Sequence, residues 1–324
     1  MKAAATILTL KIKMYNPTKP YKNQILAEIK KTWRTPYVKI RADVYPIVEI
    51  KFSLPEVDHT DGIGTKGIYH WQKRTFKNAV LDALAMNLND LALVRAVPYK
   101  LSNHIFVPKD DHRAILAIVK ALSQECQKRK IAITGGETSV QNNFTGLDIS
   151  LTVSGFIEKF QANQFKAGDA LLGIKSQGLH SNGFTKVREI FGNAYKPDFV
   201  KPTAIYLDTI LALDKKFDIH GMMHITGGAF TKLKSLLQGA DAHISRAHRL
   251  TPQSIFRELY QRGVSDKEMY QTFNCGIGFV FSTSPKEAKV IVSRLPNVDI
   301  IGKIEPGDSR VVIDSMFSSQ QVIF

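Results

Sequence analysis

Cysteine is nearly missing from this chain: two occur in 324 residues, Cys126 and Cys275, in unrelated contexts. That excludes a framework of disulfide bridges and any paired-cysteine metal site, and it fits a reducing cytoplasm. Long apolar runs are missing too. None approaches the roughly 20 residues needed to cross a bilayer. The apolar stretch at 3–10 imitates a signal peptide but stops at Lys11 with no small-x-small cleavage site after it, so it reads as a short strand or a leader into the fold. The sequence has no Walker motif, which removes support for a P-loop nucleotide site. It has no HExxH or H-x-x-H spacing for zinc and no GxSxG nucleophile elbow. Solenoid repeats and low-complexity tracts are also lacking.

What is present is an ordinary globular balance, 44% hydrophobic and 23% charged, with a strong excess of cations. Lys and Arg number 44 against 29 Asp and Glu, a formal charge of +15. Such a balance points to anionic partners, phosphate-bearing small molecules or nucleic acid. The basic residues are scattered apart from a Lys-rich N-terminal stretch, which favours a solvated basic surface over a nucleic-acid groove. The length suggests two domains at roughly 150 residues each.

Strand and helix signals alternate, giving an α/β (α+β) class in two halves. Apolar periodicity predicts helices over 23–33, 78–94, 111–129 and 203–213, with another opening at Phe184 and one after Gly228. Strands are expected at 44–54, 131–134, 147–156, 170–175, 222–225, 276–282, 298–304 and 310–313. The polar stretch from Gly155 to Gly168 is the expected boundary, dividing the chain into domains 1–166 and 167–324.

The helix at 79–94 is apolar except for Asp82, Asn87, Asn89 and Asp90. A helix apolar nearly all round is buried. At 100° per residue Asp82, Asn89 and Asp90 fall within about 100° of one another. Two carboxylates on one buried face require cationic partners, backbone amides or a bound cation. The segment 59–66 reads as a Gly-spaced turn, in which Gly62 and Gly64 let backbone amides approach a phosphate and Lys66 adds charge. Asp61 would oppose phosphate directly unless Mg²⁺ lay between them; the alternative is a plain Asp-Gly turn. Gly135-Gly136-Glu137 and Thr226-Gly227-Gly228 repeat the pattern at strand ends, as anion sites or as tight turns. His180, in the polar turn 178–183, could move protons.

Read in order, these segments resemble the aminoimidazole ribonucleotide synthetase (phosphoribosylformylglycinamidine cyclo-ligase) family. The stretches are TDGIGTK (60–66), DALAMNLNDL (82–91), TGGET (134–138), VSGF (153–156) and GDALLGIKSQGLHSNGF (168–184). KPTAIY (201–206), HITGGAF (224–230), MYQTFNCGIGF (269–279) and IGKIE (301–305) continue the resemblance to the C-terminus. It implies an N-terminal ATP-side and dimerisation domain whose sheet forms a barrel across a homodimer, and a C-terminal α/β domain beside it. It further implies ATP- and Mg²⁺-dependent cyclisation of formylglycinamidine ribonucleotide in purine biosynthesis, in the cytoplasm, with no membrane or nucleic-acid partner.

By position, the resemblance makes Asp61, Asp90 and Glu137 the acidic cluster facing Mg²⁺ and phosphates. Gly62, Gly64, Thr65, Lys66, Asn89, Gly135, Gly136 and Thr138 become nucleotide contacts, with Asp82 supporting them. His180, Asp90 and Asn182 become the catalytic group, and Ser181, Thr226, Gly227, Gly228 and Asn274 the substrate contacts. Three departures stand out. No glycine occurs in 37–54, where the family carries a Gly-rich segment. Arg95 occupies an expected glycine, to fill space or to contact phosphate. The family's AEMPG after GGET is replaced by residues 139–143. Two other readings remain: a diverged relative that activates another small molecule with ATP, and a non-catalytic dimeric homologue.

Overall fold

The computed structural model describes residues 21–324; the expectations for the leader and the Lys-rich start fall outside them. The N-terminal half contains α1 (Lys22–Lys30), a hairpin of β1 (Val38–Arg41) and β2 (Ile47–Ile50), β3 (Glu56–Gly62), α2 (Gly67–Lys73) and α3 (Phe76–Leu93). It continues with β4 (Val97–Val107), α4 (His112–Arg129), β5 (Ala132–Val140) and β6 (Asp148–Phe156). Four strands form one sheet in the order β3-β6-β4-β5, antiparallel except for the β4–β5 pair.

The C-terminal half runs through β7 (Ala170–Lys175), α5 (Phe184–Phe191), α6 (Leu207–Asp214), β8 (Met222–His224) and β9 (Ala240–Ile244). After these come α7 (Ser254–Gln261), α8 (Asp266–Thr272), β10 (Ile277–Thr283), α9 (Pro285–Arg294), β11 (Val298–Pro306), β12 (Val311–Asp314) and β13 (Gln321–Ile323). Its seven strands order as β13-β12-β9-β11-β7-β10-β8, with β9 and β12 parallel. This is the mixed α/β architecture expected.

The two halves share a core. Helix α3 packs on β3 and β6 on one side and on β8 and α6 on the other. One apolar cluster accordingly runs from Leu84 and Leu151 in the first half to Leu172 and Phe279 in the second. That explains why α3 is apolar nearly all round: both of its sides are interior. Helix α4 has a side-chain cap, Asp111 accepting from the Ala114 amide at 3.0 Å, and ends on a left-handed Lys130.

Several boundaries differ from expectation for local reasons. Residues 59–62 continue strand β3, because His59 and Asp61 point at α3 while Thr60 points away. The Gly135-Gly136 pair lies inside β5 rather than in a turn, where the β4–β5 register slips by one residue at Leu101 and Ser102. The strand expected at 44–54 is only Ile47–Ile50, folded back on Val38–Arg41. Helix α6 begins at Leu207 because Thr203 and Tyr206 give their amides to side chains of α3. The residues after Gly228 form a 3-10 helix, Ala229–Leu236.

Arg95 takes a left-handed φ of 59°, the conformation that makes glycine the default there. Its guanidinium reaches into the C-terminal half, to Asp214 Oδ1 at 2.7 Å and to the Ile219 carbonyl at 2.7 Å. It fills space and clamps the halves, and it makes no approach to the cleft. Arg95→Ala is therefore expected to lower the urea unfolding midpoint, at a cost of about 1.5–3 kcal/mol for charged hydrogen bonds. An unchanged midpoint would refute the clamp.

Candidate functional site

At the junction of the halves lies a cleft of about 580 Å³. From the N-terminal half it receives Asp61, Gly62 and Gly64, Met86 and Asp90 of α3, and Asp148 and Ser150 of β6. From the C-terminal half come Ser181, Asn182, Thr226, Gly227 and Lys232. Gly64 has a φ of 54° and nothing within 4 Å of where a Cβ would stand, so its backbone is open to a ligand.

Asp90 is held between two histidines. His224 Nδ1 lies 2.8 Å from Oδ1, and His59 Nε2 lies 3.3 Å from Oδ2. Burial alone would raise the Asp90 carboxyl, but these two partners and the charge of Lys232 hold it well below the usual carboxylate range. His59 moves the other way: its bond to Asp90 outweighs burial and raises it. Its Nδ1 is 3.0 Å from Asn87 Oδ1, and Asn87 in turn donates to the Asp61 and Ala83 carbonyls. With both oxygens facing imidazoles, Asp90 is a poor candidate for direct metal ligation.

On the opposite wall, Lys232 donates to Thr226 Oγ1 at 2.7 Å. Burial lowers this ammonium, and Asp90 and Asp61 oppose the shift. Asn182 Nδ2 is buried at the cleft without a hydrogen-bond partner among the described residues, a donor left for a ligand. Asp148 Oδ1 is likewise buried and unpartnered, and burial together with the charge of Asp61 raises this carboxyl. A cation between Asp61 and Asp148 would relieve both.

Other expected site residues are placed elsewhere. Lys66 is fully buried; its ammonium donates to Asp82 at 2.9 Å, to the His180 carbonyl at 2.8 Å and to the Lys201 carbonyl. Three donors are thereby used, leaving none for a phosphate. Asp82, also buried, accepts further from His70 at 2.7 Å and from the Thr203 amide and hydroxyl, each at 2.6 Å. Burial works against its charge, yet Lys66 and His70 pull its carboxyl down to about 2. Asn89 is spent on Ala204, Tyr206 and His224. Asn274 holds the 178–183 turn through the Gly178 carbonyl at 2.8 Å.

His180 lies behind the cleft wall, only 1% exposed, where burial, with the charge of Lys66, pushes it down to about 3. Its ring faces Tyr206 across Gly278, where any Cβ would collide with both. A neutral, enclosed imidazole is not positioned to exchange protons with a ligand. Thr65 sits in the 3-10 turn Gly64–Lys66, and Gly228 follows the cleft loop at a φ of 77°.

Glu137 does not join the acids. It lies on β5, the far edge from Asp61 on β3, three strand spacings or roughly 14 Å across the sheet. Gly136, Glu137 and Thr138 line a separate pocket of about 260 Å³ with Asn103 and α1, and Gly135 adjoins them. Among the described residues no three His, Cys, Asp or Glu side chains form a ready metal cage.

His59, Asp148, Lys232 and the tie of His224 to Asp90 were not assigned from sequence. For His59 a signal existed, since alternation along a strand puts it on the same face as Asp61. The others depend on tertiary placement.

Two family models match the chain: AIR synthase related protein, N-terminal domain, over residues 48–157, and its C-terminal domain over 166–315. The phosphoribosylformylglycinamidine cyclo-ligase of Saccharolobus solfataricus is 33% identical over 303 residues, 90% of this chain and 91% of that protein. The enzyme of the same name from Clostridium perfringens is 34% identical, over 74% and 77%. Among solved structures, hydrogenase maturation protein HypE in complex with ATP superposes with a TM-score of 0.70 at 15% identity, over 95% of each chain. Thiamine-monophosphate kinase from Stenotrophomonas maltophilia gives 0.68 at 18%, over 92% and 96%. These structural likenesses establish a common fold.

The Lys66–Asp82 pair generates two expectations. Lys66→Met strands a buried carboxylate and is expected to cost about 3–5 kcal/mol in chemical denaturation; a folded, equally stable variant with weakened nucleotide affinity would restore the phosphate-contact role. Asp82 has a depressed carboxyl, so its stabilisation is present above its unfolded value of 3.8 and disappears as pH falls through about 2. The stability gap between wild type and Asp82→Asn should therefore narrow across that acid window.

Proposed function

The chain belongs to the AIR synthase family, and on that premise we propose that its inter-half cleft closes the imidazole ring of aminoimidazole ribonucleotide. It is an ATP-dependent cyclo-ligase of purine biosynthesis: ATP phosphorylates the amide oxygen of formylglycinamidine ribonucleotide, a nitrogen attacks the activated carbon, and phosphate leaves. An amide oxygen is a poor leaving group, and phosphorylation makes it a good one. The observation that carries this reading is the meeting of anion-binding groups and acidic side chains from both halves on one cleft.

Lys232 and Thr226, with Gly227 on the same wall, suit a phosphate or the oxygen that becomes one. Asn182 supplies a preoriented donor, and Ser181 lines the same wall. Asp90, kept ionised by His224 and His59, suits electrostatic stabilisation of the positive charge that develops as the ring nitrogen attacks. Asp61 and Asp148 suit Mg²⁺, which is commonly held by one or two carboxylates plus substrate phosphates. When bound, the ion would neutralise charge developing on the phosphoryl group.

We further propose a homodimer. The sheet face opposite α3 carries Thr60, Ser102 and Thr152 uncovered by any helix among the described residues, a surface on which a second copy could close a barrel. The proposed location is the cytoplasm, in keeping with two buried free thiols, and no nucleic-acid partner is invoked.

The test is ADP release by purified protein with MgATP, with and without formylglycinamidine ribonucleotide. Substrate-dependent ADP matched by aminoimidazole ribonucleotide is expected, with kcat reduced about 10²–10³-fold in Asp90→Asn. A folded dimer that turns over ATP without that substrate, or not at all, would sink the assignment.

A further inference from the structure

We propose that His224 is a positioning residue for the reaction at this cleft: Asn89 locks its tautomer, so that its Nδ1–H fixes one oxygen of Asp90. The proposal rests on the reading of the cleft given above and assigns work to two fully buried polar residues that cannot touch substrate. Both His224 and Asn89 are 0% exposed.

The backbone N–H of Tyr206 can only donate. It reaches Asn89 Oδ1 at 2.6 Å, and this contact decides which end of the amide is oxygen. Asn89 Nδ2 then faces the Ala204 carbonyl at 2.9 Å and His224 Nε2 at 3.1 Å. An amide NH₂ donates and never accepts, so Nε2 must carry a lone pair, and neutral His224 must carry its proton on Nδ1. That nitrogen lies 2.8 Å from Asp90 Oδ1, a donor against a carboxylate. The opposite tautomer would set a proton against the amide NH₂ and a lone pair against Asp90. Phe279 stacks on the ring with centroids 6.3 Å apart, restraining its rotation. Asn89 and Asp90 are consecutive on α3, so lock and target move as one body. The unit fixes an oxygen the way an orienting residue fixes a catalytic one in other enzymes.

¹⁵N NMR of the histidine-labelled full-length protein reads the lock directly. The resonance pair lost in His224→Asn is expected to be Nδ1-protonated with a bare Nε2; an Nε2-protonated ring would overturn the proposal. This signature does not depend on which substrate is turned over, so it fails separately from the cyclo-ligase assignment. Kinetics supply the second arm. His224→Phe keeps a ring but has no donor, and is expected to lower kcat about 10²-fold with KM values within about threefold. His224→Asn, whose amide can return a donor near the Nδ1 position, should regain most of that loss. Normal kcat in the Phe variant, or equal loss in both variants at unchanged melting temperature, would overturn it.

Discussion

Asp82 is a carboxylate fully enclosed by protein, and much of the architecture follows from how its charge is satisfied. Leaving a buried charge unpaired costs several kcal/mol, against a total stability of about 5–15 kcal/mol for a typical domain. The partners that prevent this come from separate parts of the chain: Lys66 and His70 from before α3, Thr203 from the other half. Lys66 extends the same cluster to the backbone of residues 180 and 201. The site loop 178–183 is therefore anchored to the charge that holds the halves together. The cleft is a by-product of that junction, formed where the polar side of α3 emerges from it.

Along α3 the polar residues divide the labour by depth. Asp82 and Asn89 are enclosed and act on backbone and side chains of the second half. Asp90, one residue further round, reaches the cleft. Asn87 turns toward β3 and orients His59. Two asparagines thus address two histidines, and both histidines address one aspartate.

The sequence reading placed α3, its boundaries and the common face of Asp82, Asn89 and Asp90, because an 18-residue apolar helix has a strong period. It could not tell that two of these three are consumed by structure, since their partners in the second half lie more than a hundred residues away. Lys66 was read from a glycine-spaced motif as a phosphate contact; only the fold reveals that Asp82, 16 residues on, claims it. Strand β4 went unseen because Pro98 looks like a helix terminator, although it sits near the start of an 11-residue strand. Glu137 looked like a member of an acidic cluster because strand order, which separates it from Asp61, leaves no mark on a local motif.

The Arg95 clamp and the Asp82 cluster have one more implication, mechanical in kind. Both cross the join between the halves, so a hinge opening there would have to break buried ionic contacts at each turnover. The halves instead behave as a single rigid frame. Traffic of ligands then falls to the short segment at 226–232, where Gly227 and Gly228 can flex while the frame stands still.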